Sequence, residues 1–290
     1  MMRNLLYIWM VIAVSSCRPA AGDEGFDFSN GNESEAVAPK GTLFIIGGGK
    51  RPPELMRAMV NMASGDSPYA LVFPQSSVEP DTSFVFIEAD MAAQTEMPIV
   101  KIGNAKLRTS LIDSVRTASL IFITGGDQRR FLEKVHPAVQ NAIKKAYMDG
   151  AVVGGTSAGA ALMSKVMITG DQRGHPEYEP TFSALYHQNG IYAEGLSLLD
   201  SIIIDQHFVA RSRYNRLISA LADTGYPYAA GVDEATAFVV APDYCTVVGE
   251  SQVVVFHRPD SLTESDGRIG LRNLKMNLYL DGDTFKLDHR

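Results

Sequence analysis

The stretch Ala151–Ser164, AVVGGTSAGAALMS, constrains the fold more than any other part of the chain. A short apolar run, Ala151–Val153, meets Gly154-Gly155-Thr156-Ser157-Ala158-Gly159, and small helix-forming residues, Ala160 to Met163, follow. Strand, very tight turn and helix are predicted in that order. Gly155-x-Ser157-x-Gly159 has the spacing of a nucleophile elbow. Small flanking residues let a strained turn fit between strand and helix, so that the serine Oγ stands clear of the backbone. The next N–H, from Ala158, then opens the helix, where anionic charge is favoured. That is half of an oxyanion hole. The pattern alone also arises by chance in loops; the strand before it and the helix after it give it weight.

The chain has 290 residues and a formal net charge of −7. That length suffices for a large core. The acidic balance, with no basic run or basic-aromatic stripe, argues against a nucleic-acid partner. At the N-terminus Arg3 precedes an apolar run, Leu5 to Val14, then Ser15-Ser16-Cys17. This reads as a secretory signal, too short for the roughly 20 apolar residues of a bilayer span. Val14-Ser15-Ser16-Cys17 also resembles the lipobox of bacterial lipoproteins, with a plain signal peptide as the alternative. The expectation is a signal peptide over 1–16, a lipidated Cys17 anchoring an exported protein to a membrane, and a flexible tether over 17–40. The tether is rich in Gly, Asp, Glu, Ser and Asn. A single α/β domain is expected over 41–290. The other cysteine, Cys245, reads as a buried small hydrophobe.

Strands are predicted at Thr42–Ile46, Tyr69–Phe73, Pro98–Ile102, Ser119–Thr124, the elbow and Ser201–Ile204. Helices are predicted between them, at Pro53–Ala63, Phe84–Gln94, Leu107–Thr117, Arg129–Met148 with a break at Pro137, and Arg211–Ala222. Ala229–Val240 and Thr246–Phe256 read as further strands. Continuous apolar strands alternating with amphipathic helices mean a mostly parallel sheet flanked by helices on both faces. Such sheets carry function at the carboxyl ends of their strands. Three strands end in Gly-rich or polar turns, Gly47–Lys50, Gly125–Gln128 and Gly154–Gly159, and these should converge. Gly47-Gly48-Gly49-Lys50-Arg51 fits neither a P-loop nor Gly-x-Gly-x-x-Gly, which sets a nucleotide site aside. The polar stretch Gly170–Leu199 is expected to be a long loop, and Asp260–Arg268 a turn region.

A serine nucleophile needs a base, and the base an orienting acid. Of the six histidines, His207 and His257 follow predicted strands. Asp233-Glu234 lies in an otherwise apolar stretch and can supply the acid, unless it is a solvated turn. With His207 the order is Ser157, His207, Glu234. With His257 it is Ser, acid, His, the order of the α/β-hydrolases, and an esterase. Arg211, Arg213 and Arg216 follow His207. One such arginine would be a solvated charge; three suggest recognition of carboxylates, which guanidinium binds bidentately. No His-x-x-x-His or paired-Cys spacing suggests a metal, and the acid/base set calls for no cofactor.

Four motifs together resemble one family, the cyanophycinases and the related aspartyl dipeptidases of the peptidase E type. They are Phe122–Gln128 (FITGGDQ), Gly154–Ala160 (GGTSAGA), Asp205–Leu217 (DQHFVARSRYNRL) and Gly231–Ala237 (GVDEATA). The resemblance spans roughly Gly41 to Val255, and its third motif looks like a cyanophycinase. It implies a class I glutamine amidotransferase-like fold with serine at the elbow. It implies Ser157 as nucleophile, His207 as base and Glu234 as orienting acid, which decides against His257. Gln128, Asp205, Gln206, Arg211, Arg213 and Arg216 match positions that shape the family's pocket. A glycine of the Gly125-Gly126 turn, taken as Gly126, joins Ala158 in the oxyanion hole.

The activity implied is that of a serine exopeptidase acting on cyanophycin, an aspartate backbone with arginine on each side-chain carboxyl, or on related aspartyl peptides. An aspartyl or isoaspartyl dipeptidase and a non-catalytic surface binding lipoprotein are the alternatives. The stretch 170–199 is longer than the family's pattern and is long enough to cap the pocket; its role is left open. A homodimer is left open.

Overall fold

The computed structural model describes residues 38–103, 105–175 and 177–287. The expected signal peptide, Cys17 and nearly all of the expected tether lie outside the described residues.

The first half of the chain alternates as its apolar periodicity predicts. β1 (Thr42–Ile46), α1 (Pro53–Met62), β2 (Ala70–Phe73), α2 (Pro80–Ala92), β3 (Ile99–Lys101), α3 (Thr109–Thr117) and β4 (Leu120–Ile123) follow one another. Pro137 splits the next helix into α4 (Gln128–Lys134) and α5 (Pro137–Asp149). His136 caps α5, its Nδ1 accepting from the Ala138 N–H at 3.1 Å. β5 (Val152–Thr156) and the short α6 (Ala158–Ala161) form the elbow.

Then come β6 (Val166–Gln172), β7 (Gly190–Glu194), β8 (Ile202–Gln206), α7 (Tyr214–Thr224), β9 (Tyr228–Val232), β10 (Thr236–Val240), β11 (Cys245–Gly249) and β12 (Val253–His257). The chain closes with β13 (Ser261–Ser265), β14 (Arg268–Arg272), β15 (Met276–Tyr279) and β16 (Thr284–Phe285).

The main sheet has eight strands in the order β16-β11-β10-β1-β5-β4-β2-β3. It is parallel from β1 to β3, and β10, β11 and β16 extend it antiparallel. Its strands are apolar on both faces because both faces are covered. Leu43, Ile45, Leu71, Phe73, Ile121, Ile123 and Val153 pack with α3, α5 and α6 on one side. Phe44, Ile46, Ala70, Val72, Leu120, Phe122 and Val152 pack with α1 and α2 on the other. Each strand thus divides its alternate residues between two cores.

A second sheet, β15-β12-β9-β8, pairs β8 and β9 parallel and contributes Ile202, Ile204, Ala230, Val232, Val253 and Val255 to the first of those cores. Cys245 is buried in that core.

Two expectations are corrected. The stretch 170–199 is not a continuous loop: Gly170–Gln172 completes β6, which pairs antiparallel with β7 across an irregular register. The region 260–268 is the start of a hairpin, β13–β14. On α7 the buried face includes Arg216 and Ser219 beside Leu217, Ala220 and Leu221, so its inward stripe is partly polar.

The elbow depends on backbone contact. A Cβ at Gly159 would lie 2.2 Å from the Ile123 carbonyl oxygen of β4. Gly159→Ala is therefore expected to cost about 1–3 kcal/mol, read as a lowered urea-unfolding midpoint at unchanged slope.

Candidate active site

The site assembles at the carboxyl end of β1. Three successive carbonyls there hold three backbone N–H groups. Ile46 O accepts from Ser157 N at 3.0 Å, Gly47 O from His207 N at 2.7 Å, and Gly48 O from Ala235 N at 2.9 Å. Ser157, His207 and Ala235 all lie in the left-handed half of backbone space, at φ 52°, 50° and 54°. None is glycine, and each such conformation costs on the order of 1–3 kcal/mol that the surrounding bonds must offset.

The side chains then meet. His207 Nε2 is 3.0 Å from Ser157 Oγ, and His207 Nδ1 is 2.5 Å from Glu234 Oε1. The imidazole lies against Gly48, where a Cβ would sit 2.3 Å from its Cε1. This is why the turn after β1 is glycine-rich: side chains there would displace the base and its acid.

The two adjacent carboxylates have different work. Glu234 faces His207. Asp233 is buried and holds the turn, accepting from the Ala210 N–H at 2.9 Å and the Ser251 hydroxyl at 2.6 Å. His257 is at the end of β12, edge-on to Tyr228 and beside Asn277 Nδ2 at 3.2 Å. The structure brings His207, not His257, to Ser157.

Burial holds the His207 imidazole below its ordinary range. The Glu234 hydrogen bond opposes this, and the Arg211 charge adds to it. A neutral imidazole at Ser157 Oγ is the form that can accept a proton.

The residues around β8 and α7 form a buried polar web. Arg216 donates from Nε to Asp205 Oδ2 at 2.8 Å, and its Nη2 pairs with Asp205 Oδ1. Arg213 donates from Nη1 to the Gln206 carbonyl at 2.7 Å and to Gln206 Oε1 at 2.9 Å. That Oε1 is 3.4 Å from Ser157 Oγ. Burial and the neighbouring Arg216 lower the Arg213 guanidinium to about 10, still charged at neutral pH. Burial also opposes the Arg216 charge, but Asp205 outweighs it and holds Arg216 above its ordinary value. The expectation that all three arginines face substrate carboxylates is corrected: Arg213 and Arg216 are 1% and 3% exposed and spend their donors internally, and Arg211 alone of the three is exposed. Gln128 is likewise turned inward, donating to the Ile168 carbonyl at 2.9 Å.

The segment between β6 and β7 packs on the same web. Arg213 donates to the Pro180 carbonyl at 2.9 Å and to Tyr178 OH at 3.1 Å. Thr181 and Asn215 add bonds to Ser212 O and Phe182 O. The segment straps the start of α7.

The cleft at Ser157, about 220 Å³, is walled instead by Gly48, Gly49, Arg51, Ser83, Phe86 and Gly125. A Cβ on Gly125 would be 3.4 Å from that of Ser157, while Gly126, at φ +135°, packs on the Ser76 carbonyl. Ala158 opens α6, whose first N–H groups have no intrahelical acceptor. Arg51, Ser83 and Phe86 were not singled out from sequence. A signal was there: Phe84-Val85-Phe86-Ile87 is apolar all round its helix, yet only Ile87 of the four is buried.

Residues 43–248 match the sequence model of peptidase family S51. The chain belongs to peptidase family S51. It is similar to the cyanophycinase of Geminocystis herdmanii, 28% identical over 85% of this chain and 93% of that protein. It is similar to the cyanophycinase of Trichormus variabilis, 29% identical over 87% and 88%. The cyanophycinase of Synechococcus elongatus is 27% identical over 86% and 80%. A crystal structure of a peptidase from an acI-B1 actinobacterium shares the fold, with a TM-score of 0.63 at 16% identity, over 87% of this chain and 98% of that one. The protein is a serine-type peptidase of mixed α/β fold with a mainly parallel central sheet.

With His207 held below the ordinary imidazole range of about 6.5, kcat/KM should stay level through neutral pH and fall only on the acid side of that value. Arg211→Gln removes a repelling charge, so the acid limb should move to higher pH. A pH–rate profile of both proteins checks the direction.

Proposed function

We propose that this peptidase is an exopeptidase that hydrolyses cyanophycin, or related aspartyl peptides, to dipeptides through an acyl-enzyme. The observation that carries the proposal is the relay Ser157–His207–Glu234, with contacts of 3.0 and 2.5 Å. Ser157 Oγ attacks the peptide carbonyl and His207 Nε2 takes its proton. Glu234 holds the Nδ1–H tautomer and stabilises the imidazolium. The N–H groups of Ala158 and Gly126 take the developing oxyanion, each worth about 3–4 kcal/mol in acyl transfer. His207 then protonates the leaving amine. Water, deprotonated by His207, attacks the acyl carbonyl, the bond to Ser157 Oγ breaks to release the acid product, and His207 returns the proton to Oγ. The names of the relatives support the substrate, and the resemblance of Asp205–Leu217 to the cyanophycinase motif supports its class.

Incubation with cyanophycin should release β-Asp-Arg dipeptides, seen by mass spectrometry, while short Asp-X peptides turn over more slowly. The reverse preference would make the enzyme an aspartyl dipeptidase. Ser157→Ala should lower turnover by about 10⁴-fold or more. Cleavage at an unchanged rate in that variant would sink the scheme.

The proposal extends to location. The signal-like residues 1–16 and Cys17 support an exported, membrane-anchored lipoprotein, with 17–40 as tether and 41–290 as the single catalytic domain. Radiolabelled palmitate should enter the wild-type protein in a bacterial host and not Cys17→Ser. Equal labelling of both would refute the anchor.

A further inference from the structure

With Arg213 and Arg216 committed to Asp205, Gln206 and Pro180, Arg211 is the exposed cation left on the His207 side of the site, and the cleft wall itself carries another. That one is Arg51. It follows the glycine turn after β1 and lines the cleft together with Ser157. Its Nε donates to Asp90 Oδ2, on α2, at 2.7 Å. The two side chains are 20% and 33% exposed, so the pair contributes little stability. What it does contribute is orientation. One of five N–H groups is used, and among the described residues no other side chain pairs with this guanidinium. A guanidinium pinned at Nε keeps its two terminal nitrogens as a flat fork, the geometry that takes a carboxylate bidentately. The surrounding wall suits such a ligand. Gly48 and Gly49 leave room, the Ser83 hydroxyl adds a donor, and the exposed Phe86 ring offers a surface for aliphatic carbons. Lys50, exposed beside Arg51, adds to the positive field.

We propose that Arg51, positioned by Asp90, determines specificity by binding a carboxylate of the peptide substrate beside Ser157. This rests on the serine-peptidase reading of the site and names the substrate group that it selects. The carboxylate has two sources, an acidic side chain or the peptide's C-terminus.

The experiment uses a short aspartate-containing peptide, its asparagine counterpart, and both again as C-terminal amides. Wild type should prefer the charged member of at least one pair. Arg51→Met should reduce that preference by about tenfold or more, carried by KM rather than kcat. Arg51→Lys should retain part of it, and Asp90→Asn should lose part while keeping the positive charge. Collapse of the Asp/Asn pair identifies a side-chain carboxylate, and collapse of the acid/amide pair the terminus.

Thermal unfolding confirms that each variant is folded. Calorimetric binding of the same four peptides to the Ser157→Ala protein, with and without Arg51→Met, gives the ratios independently of turnover. Equal ratios in wild type and Arg51→Met, or no preference in wild type, overturn the inference. Turnover that survives Ser157→Ala overturns the reading beneath it instead.

Discussion

Three consecutive carbonyls at the end of β1 hold the site together. Ile46, Gly47 and Gly48 accept from Ser157, His207 and Ala235, residues drawn from three distant parts of the chain. Each of the three occupies a backbone conformation that it would not choose alone. A net hydrogen bond contributes only about 0.5–1.5 kcal/mol, similar to the strain it offsets, so no one of these contacts could fix its partner unaided. What makes the arrangement hold is β1 itself. It lies between β5 and β10 in the main sheet, with apolar side chains buried on both faces. A strand so enclosed cannot shift to relieve strain at its end. The nucleophile, the base and the turn carrying the acid are therefore referenced to one rigid element, not to each other.

The buried arginines follow from the same need. Asp205 is the penultimate residue of β8, one before Gln206 and two before His207, and is 1% exposed. An unpaired charge there would cost several kcal/mol, and truncating one partner of such a pair typically costs about 3–5 kcal/mol. Arg216 supplies the opposite charge from α7, and Arg213 ties Gln206 to the segment after β6. The web fixes where β8 ends, hence where the His207 ring begins. A run of arginines after a histidine resembles a substrate-binding surface in sequence, because sequence shows the charge and not the acid that neutralises it. Here the acid was within the same motif, eleven positions earlier for Arg216.

Legibility of the rest depends on burial. Strands such as Ile202–Gln206 and Leu120–Ile123, enclosed on both sides, stand out as continuous apolar runs, and their bounds were readable to within a residue or two. The elbow was readable because its small residues are required by contact, Gly159 against Ile123 being the clearest case. β7 and β13 were not. β13 is exposed at every residue, so it has no buried face to impose alternation, and β7 has a single buried residue. Their pairing partners, not their composition, make them strands. The cleft walls were hidden for another reason: Arg51 and Phe86 reach Ser157 only because α2 packs beside α1 over the sheet, a tertiary fact with no local signature beyond an apolar residue on the wrong side of a helix.

That two sheets exist at all explains the order of the relay. Ser157 leaves β5 of the main sheet, His207 leaves β8 of the smaller one, and Glu234 sits on the link from β9, in the small sheet, to β10, in the large one. The acid thus belongs to a connection that crosses from sheet to sheet, and the β11–β12 link, which crosses back, braces it through Ser251 and Gln252 against Asp233. Placing it there lets a single turn reach the Nδ1 side of an imidazole whose Nε2 side already faces the elbow. An α/β-hydrolase order, with the acid before the base, would need the acid on a strand preceding His207; in this topology β8 and β9 come as a parallel neighbouring pair, so the turn after β9 emerges at the same sheet edge as His207. The order Ser, His, Glu is then a consequence of strand pairing, and the short 2.5 Å contact between His207 and Glu234 is its result.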